Sequence, residues 1–389
     1  MRIESSVELK KVHAKDIMEY LKKHKSCTKK VMAEELNLSF ATVSNICNEM
    51  REMQYLEETV LDDTRMVGRN PKGISLNYKN LLCLCFDLTM SGIIKAAVID
   101  CGMQMICSEL FHYEKDCTVE DIVEKCRKVY REYVLDQFSA EQIIGVGVAV
   151  PGIFEKNTHN IVSSEIEIFN NQPLKAMLTE ALDKTVYIDN ESNLCVFFEY
   201  LKEEAAGNRE NVIYIFADEG LGIGVVTGGQ LVRGSSGYAP EICHMPIGNM
   251  QLKCHLCSSM GCVESDLRIQ GYVEKYNLYG QEQKIRTFEE FCRLADEQDA
   301  TAVRVLEENT EILGKLLSIL NNMFNPDCIY IGGKTIGILE NRIEQSMEQV
   351  KTRMLSEKNA LPDMCPDQES SITVLKGAAE MVFSQWMPL

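Results

Sequence analysis

Apolar residues recur at helical spacing over the first fifty positions, then give way to strand-like runs after about residue 80. In "VHAKDIMEYLKKH", Ile17 and Leu21 stand one turn apart. In "TKKVMAEELNLSFATVSNICNEMREMQYL", Val31, Met32, Leu36, Leu38, Val43, Ile46 and Met50 fall where two successive helices would each bury one face. Ser39 suits the N-cap of the second helix, which is predicted from about Phe40 to Met53. Small Ala33 allows a close crossing, and Asn37, four residues on, tolerates a left-handed turn; with Val43 and Ile46 this is the pattern of a helix-turn-helix. A plain three-helix bundle would share that spacing. The stretch "YLEETVLDDTRMVGRNPKGISLN" reads as two short strands around a loop, either a wing with Arg69 at its tip or a plain solvated turn.

Beyond residue 80 the period changes. "LLCLCFDL", "GIIKAAVID" and "MQMICSELFHY" read as three strands joined by short turns, followed by a helix ("VEDIVEKCRKVYREYV") and a buried strand, "IIGVGVAVPG". A second cycle opens near residue 211 with "VIYIFADEGLGIGVVTGGQLVRG" and closes with "CIYIGG" after a long helix. The repetition predicts a duplicated α/β body, residues 81–389, with lobes of about 81–195 and 196–389 and a cleft between them. Glycines 220, 222, 224, 228, 229, 234 and 237 permit close backbone approach to something, which alone is weak evidence for phosphate binding.

Charge sharpens this division. The net charge is −18, but residues 1–80 hold fourteen Lys/Arg against twelve Asp/Glu, and the other 309 hold twenty-six against forty-six. An acidic body repels nucleic acid, whereas the head, with nine Lys/Arg against four Asp/Glu in residues 1–33, can approach it. On the second predicted helix Thr42, Asn45 and Asn48 would face the major groove, with Ser44 and Phe40 near phosphates or a thymine methyl. Lysines 22, 23, 25, 29 and 30 would contact the DNA backbone, and Arg69 would enter a minor groove. An apolar content of 45% is that of a folded chain, and no apolar run nears the ~18–20 residues of a membrane span. Sixteen cysteines without framework spacing, behind a charged N-terminus, point to reduced thiols in the cytoplasm. Three of them crowd with a histidine into "KCHLCSSMGCVES", either a metal site or a chance cluster.

"VGVAVPG", "YIDNESNLCVFFE", "GLGIGVVTGGQLVRGSSGYAPEICHM", "CSSMGCVE", "NPDCIYIGG" and "LKGAA" occur in the order found in the ROK family (repressor, open reading frame, kinase), which the body therefore resembles. With the head in front, the chain resembles the family's xylose-repressor and N-acetylglucosamine-repressor branch. The resemblance implies an α/β fold: a two-lobed actin-like ATPase (ribonuclease H-like) sugar-kinase body, preceded by an α+β winged helix-turn-helix domain over residues 1–80. It also implies one structural zinc. His244 of "EICHM" matches the family's histidine ligand, and Cys257 and Cys262 match two of its cysteines. An extra residue leaves Cys254 or His255 as the fourth ligand, with Cys254 preferred. Such a closed N/S site is structural and contributes on the order of 10 kcal/mol to folding. The family's sugar ligands correspond to Asn190, Glu191, Glu241, His244 and Glu264.

The family's kinases need a glycine-rich Asp-x-Gly-Gly-Thr turn and a catalytic Asp. Here "DLTMSG" keeps Asp87 and Thr89 loosely but puts Leu88, Met90 and Ser91 where glycine is required, and "NESN" puts Glu191 one methylene too far out. A ~1 Å misplacement costs ~100-fold in rate. The expected function is that of a non-enzymatic, sugar-responsive transcriptional regulator, a repressor. It binds double-stranded operator DNA as a homodimer or homotetramer and answers to a sugar or sugar phosphate. The alternatives are a sugar kinase with an appended head and a regulator controlled by a protein partner.

Overall fold

The computed structural model describes residues 6–60, 72–114, 117–155, 157–207, 209–280, 284–354 and 360–389. The head begins with α1 (Ser6–His24), β1 (Ser26–Cys27), α2 (Lys29–Glu35) and α3 (Phe40–Glu52), and continues with β2 (Leu56–Val60) and β3 (Lys72–Leu76). Thr28 caps α2 by accepting from the Val31 amide, and Ser39 caps α3 by accepting from Thr42, so each helix starts where a side-chain oxygen meets a free N–H. Asn37 takes a φ of 54° in the turn between them. Ile17, Leu21, Met32, Val43, Ile46 and Met50 close over the antiparallel sheet β1-β3-β2. The expected wing tip and Arg69 lie outside the described residues.

The first lobe follows with β4 (Leu82–Asp87), β5 (Ile93–Asp100), β6 (Met105–His112), α4 (Val119–Lys128), β7 (Ile143–Ala149), β8 (Ile153–Phe154), β9 (Ile161–Ser163), α5 (Leu174–Leu182), β10 (Val186–Asp189) and α6 (Glu191–Ala206). The second lobe comprises β11 (Val212–Ala217), β12 (Leu221–Thr227), β13 (Gln230–Leu231), α7 (Glu264–Leu267), α8 (Ile269–Tyr279), α9 (Phe288–Asp296), α10 (Ala300–Phe324), β14 (Cys328–Gly332), α11 (Ile336–Thr352), β15 (Asp363–Pro366) and α12 (Ser370–Gln385).

The two main sheets repeat one plan. Their orders, β6-β5-β4-β7-β10 and β13-β12-β11-β14-β15, each pair an antiparallel three-strand meander with two parallel strands. Central strands β4 and β11 are buried along their whole length, as layers of helix on both faces require. One core lies between β4, β7 and the helices α4 and α5; another lies between β11, β14 and the helices α10 and α11. The third joins the lobes: Cys83, Cys85 and Ala97 of the first sheet and Val212 and Tyr214 of the second enclose Leu194 and Val196 of α6 and Val374 and Ala378 of α12. The actin-like, ribonuclease H-like arrangement is thus a pair of sheets clasping two helices.

The chain's last helix also reaches the head. Phe383, Trp386 and Leu389 pack against the head's core, and the Trp386 ring meets Tyr55 edge-on at 5.0 Å. Lys22 Nζ lies 2.6 Å from Glu380 Oε1 and 2.7 Å from Oε2. Lys22, expected on the DNA backbone, is therefore committed to α12. Among the described residues no helix is long and apolar enough to cross a membrane.

Candidate functional site

The cleft holds a cavity of about 210 Å³ at the N-terminus of α6. Asn190, Glu191, Glu241, His244 and Glu264, singled out from the sequence, all line it. An apolar cavity of ~150 Å³ holds benzene, so this one is on the scale of a single monosaccharide. Asn190 caps α6: its Oδ1 accepts from the Asn193 amide at 2.8 Å and from Ser192 Oγ at 3.2 Å. Its amide nitrogen makes only a long bond to the Gly152 carbonyl, 3.4 Å away, and remains a usable donor. Glu191 opens α6, and its Oε2 is buried without a hydrogen-bond partner. Asp189 accepts from the Arg233 guanidinium on both oxygens and from Asn193 Nδ2 at 2.9 Å.

A larger cavity of about 640 Å³ adjoins it, lined among others by Asp87, Thr89, Lys95, Asp218, Glu219 and Lys334. Glu165 and Glu191 face both spaces. Burial pushes the Glu165 carboxyl up to about 8; neighbouring Glu191, Glu264 and Glu219 add to the effect and Arg268 opposes it. Burial likewise raises Glu191 to about 8, against a backbone N–H that favours the charged form and with Asp87, Asp218 and Asp189 adding repulsion. Asp87 is raised by burial too, although Thr89 donates to it from both its amide (3.0 Å) and its hydroxyl (2.6 Å).

The glycines of β12 explain the cavity wall. A Cβ on Gly224 would stand 2.2 Å from the Ser192 carbonyl oxygen, so what approaches there is the first turn of α6, not a phosphate. Over Gly220 lies the Glu165 carboxyl. Sequence reasoning missed Glu165 and Arg233. Arg233 sits within a motif already noted, whereas Glu165 is one of two acids in "SSEIEIF" and carries no local signal.

Beside the cavity, ligand atoms of His244, Cys254, Cys257 and Cys262 all lie within 4.8 Å of one another. Cys257 Sγ is 3.4 Å from Cys262 Sγ, and Cys254 Sγ is 3.6 Å from His244 Nδ1. Ligands around a tetrahedral zinc stand about 3.5–3.8 Å apart, so the donor set fits such an ion. His255 falls outside this group and joins Cys254 and Glu264 in another. The loop is tied by Cys254 N to Ser259 O (2.8 Å) and Ser258 N to Cys254 O (3.0 Å), with Ser258 at a φ of 60°, where glycine would sit more easily. Burial pushes the Cys257 thiol up, but hydrogen bonds with Ser259, Cys262 and Cys254 outweigh it and hold the group down to about 6. Burial and Cys257 push Cys262 up to about 11. Glu264, almost fully buried, lies 3.1 Å from Cys254 Sγ, and Glu241 lies 3.8 Å from His244 Nε2, so two carboxylates of the cavity wall pack against the cluster.

On the head, α3 buries Val43, Ile46, Cys47 and Met50 and exposes Asn45 and Asn48, with Thr42 and Ser44 half-buried. Lys29 Nζ donates to Asn48 Oδ1 at 2.6 Å, joining two residues expected to act separately.

Comparison with known proteins fits this layout. Over its whole length the chain is 23% identical to the xylose repressor of Bacillus subtilis (strain 168), covering 99% of that protein. A ROK family transcriptional regulator, a homologue of the E. coli Mlc protein, superposes with a TM-score of 0.79 at 19% identity over 96% of this chain and 97% of that one. A ROK family glucokinase from Streptomyces griseus, solved with glucose and AMPPNP, superposes with a TM-score of 0.64 at 20% identity over 77% of this chain and 98% of its own. At these identities the two structures speak to the fold. Residues 91–385, which take in the small cavity, the Cys–His cluster and every strand of both main sheets but β4, match the ROK family, and the chain belongs to it.

Proposed function

We propose that the protein is a sugar-responsive transcriptional repressor of the cytoplasm. The head binds operator DNA through α3, and a sugar in the cleft changes how firmly it does so. The observation that carries this reading is the union, in one chain, of an exposed α3 face and a monosaccharide-sized cavity ringed by hydrogen-bonding groups. The full-length likeness to a xylose repressor supports it, since that likeness includes the head. Asn45, Asn48 and Thr42 read bases, Lys29 and Ser44 position the backbone, and Arg69 extends the contact into a minor groove. Two heads of a homodimer, or of a pair within a homotetramer, then meet half-sites roughly 34–36 Å apart. Asn190, Glu191, Glu241, His244 and Glu264 hold the sugar. His244, Cys254, Cys257 and Cys262 bind a zinc with no open position, which secures the wall and takes no part in chemistry.

The body does not phosphorylate its sugar in this reading. Asp87 is tied to Thr89, side chains replace the glycines around it, and Glu191 is held largely protonated near neutrality. The test begins by selecting duplexes from the source genome with full-length protein, then measuring their release by a panel of sugars with and without ATP. Sequence-preferring binding relieved by a sugar alone is expected. Loss of sugar only when ATP is present, with a phosphorylated product, would replace the repressor reading with the kinase one.

A further inference from the structure

Five carboxyl side chains line the small cavity: Glu165, Asp189, Glu191, Glu241 and Glu264. Among the described residues one Lys or Arg lines it, Arg233, and that guanidinium is bound to Asp189. Glu241 and Glu264 lean on the Cys–His cluster. Among the described residues Glu165 and Glu191 have no ion-pair partner, and they stand where the two cavities meet. Nearby positive groups make their direct contacts with other residues: Arg268 ion-pairs with Glu274 at 2.9 Å and favours the charged form of Glu165 only through space, Lys334 pairs with Asp218 at 3.4 Å, and Lys95 donates to Ser371.

Two observations mark the pair as a place for a ligand, and a third bears on which ligand it takes. Glu191 Oε2 is buried and unpartnered, a costly state unless something donates to it. The Glu165 carboxyl rests on the bare Cα of Gly220, where a Cβ would stand 1.7 Å from Oε1, so the backbone makes room for it. A divalent metal is poorly served, because among the described residues neither carboxylate belongs to a group of three His, Cys, Asp or Glu donors within 4.8 Å of one another. A neutral sugar brings hydroxyl donors but no charge, and a sugar phosphate adds charge of the wrong sign. An ammonium group brings three donors and a positive charge that lets both carboxyls ionise in place.

We propose that the repressor's effector is a sugar with a free, protonated amino group, held so that its ammonium lies between Glu165 and Glu191. This rests on the sugar-responsive reading above and narrows it. Both carboxyls hold their protons up to about 8 in the empty cavity, through burial first and then through their acidic neighbours. An ammonium between them favours their charged forms, so binding near neutral pH releases protons.

The experiment is calorimetric titration of the full-length protein at pH 7, in two buffers of different ionisation heat. The ligands are D-glucosamine, D-galactosamine and D-mannosamine, each with its N-acetyl derivative, its neutral parent and its 6-phosphate, together with D-xylose. One free amino sugar is expected to bind about tenfold or more tighter than its parent and its N-acetyl derivative, with net proton release. Glu165→Gln is expected to shrink that ratio and the proton release together. Gly220→Ala, which pushes the flexible Glu165 carboxyl aside, is expected to shrink the ratio as well. A parent sugar, D-xylose or phosphate that binds as tightly as every amino sugar, or a ratio unchanged in both variants, would overturn this inference and leave a sugar-responsive repressor standing. No heat from any sugar, in protein that still binds its operator, would overturn the sugar-responsive reading itself and this inference with it.

Discussion

Four donor atoms, from His244, Cys254, Cys257 and Cys262, lie within 4.8 Å of one another and argue most directly for a metal, because a tetrahedral zinc takes a set of that chemistry and spacing. Purified protein is expected to carry close to one zinc per chain by elemental analysis. His244→Ala or Cys254→Ala should lose it and fall by several kcal/mol, out of the ~10 kcal/mol scale of such sites, whereas His255→Ala should keep it. The buried carboxyls predict a different behaviour. Glu165 and Glu191 rise from 4.5 to about 8 on folding, so between those pH values the folded state holds protons that the unfolded chain has released. Ligand-free stability therefore falls as pH rises through that window. Glu165→Gln or Glu191→Gln should gain on the parent between pH 5 and 8, by on the order of 1 kcal/mol each, read from urea midpoints at the two pH values. The crowding of Cys254, Cys257 and Cys262 was legible in the sequence, whereas His244 entered only through the resemblance to the ROK family. Glu165 was not legible, because its meaning comes from Gly220, fifty-five positions along the chain, lying beneath it.

At the scale of elements, α6 is set by its contact with β12. Gly224→Ala would put a methyl 2.2 Å from the Ser192 carbonyl, a backbone atom that cannot swing away. It should cost about 1–3 kcal/mol and weaken sugar binding, since Ser192 follows Asn190 and Glu191 directly. Gly337→Ala in α11 meets nothing within 4 Å and serves as the contrast, neutral to slightly stabilising. Helix α3 carries a prediction of its own. Asn45→Ala should cost ~1–3 kcal/mol on the preferred duplex and relax one base position, whereas exposed Lys30→Ala should weaken every duplex alike and flatten the salt dependence, both seen by fluorescence anisotropy. Lys29 is the less clean probe because removing it also frees Asn48. The elements themselves were largely legible, since Ser39, Asn37 and the run of buried positions in α3 act locally, and both strand cycles announce themselves by continuous apolar runs. The partners of the glycines were not. Gly222 and Gly224 read only as places of close approach to something, because the sequence shows that backbone is bare but not what covers it, and here the cover is a helix.

The whole molecule places the cleft cavity and helix α3 at two ends of a continuous packed path. Helix α6 begins at the cavity with Glu191 and runs between the two main sheets, packed against α12. Gly377 of α12 approaches so closely that a Cβ there would stand 2.3 Å from the Leu194 carbonyl, so a shift of α6 cannot leave α12 in place. Helix α12 in turn holds the head through Glu380 on Lys22, and the tail that follows it inserts Trp386 against Tyr55. No periodicity in either segment predicted this clasp, because it joins residues more than 300 positions apart. If a sugar changes the tilt of α6, the head feels it through α12, and linkage requires operator DNA to change sugar affinity by the same factor. Such factors are typically about 5–150-fold. The double substitution Glu380→Gln, Trp386→Ala removes the ion pair and the ring while leaving α3 and the cavity untouched. It should retain both affinities measured separately but bring their coupling close to one, as judged by operator binding with and without saturating sugar. A control titration without sugar establishes that the head still folds and binds. A double variant that binds operator normally and still shows the parent's full coupling would show that the signal reaches the head by a route other than α12.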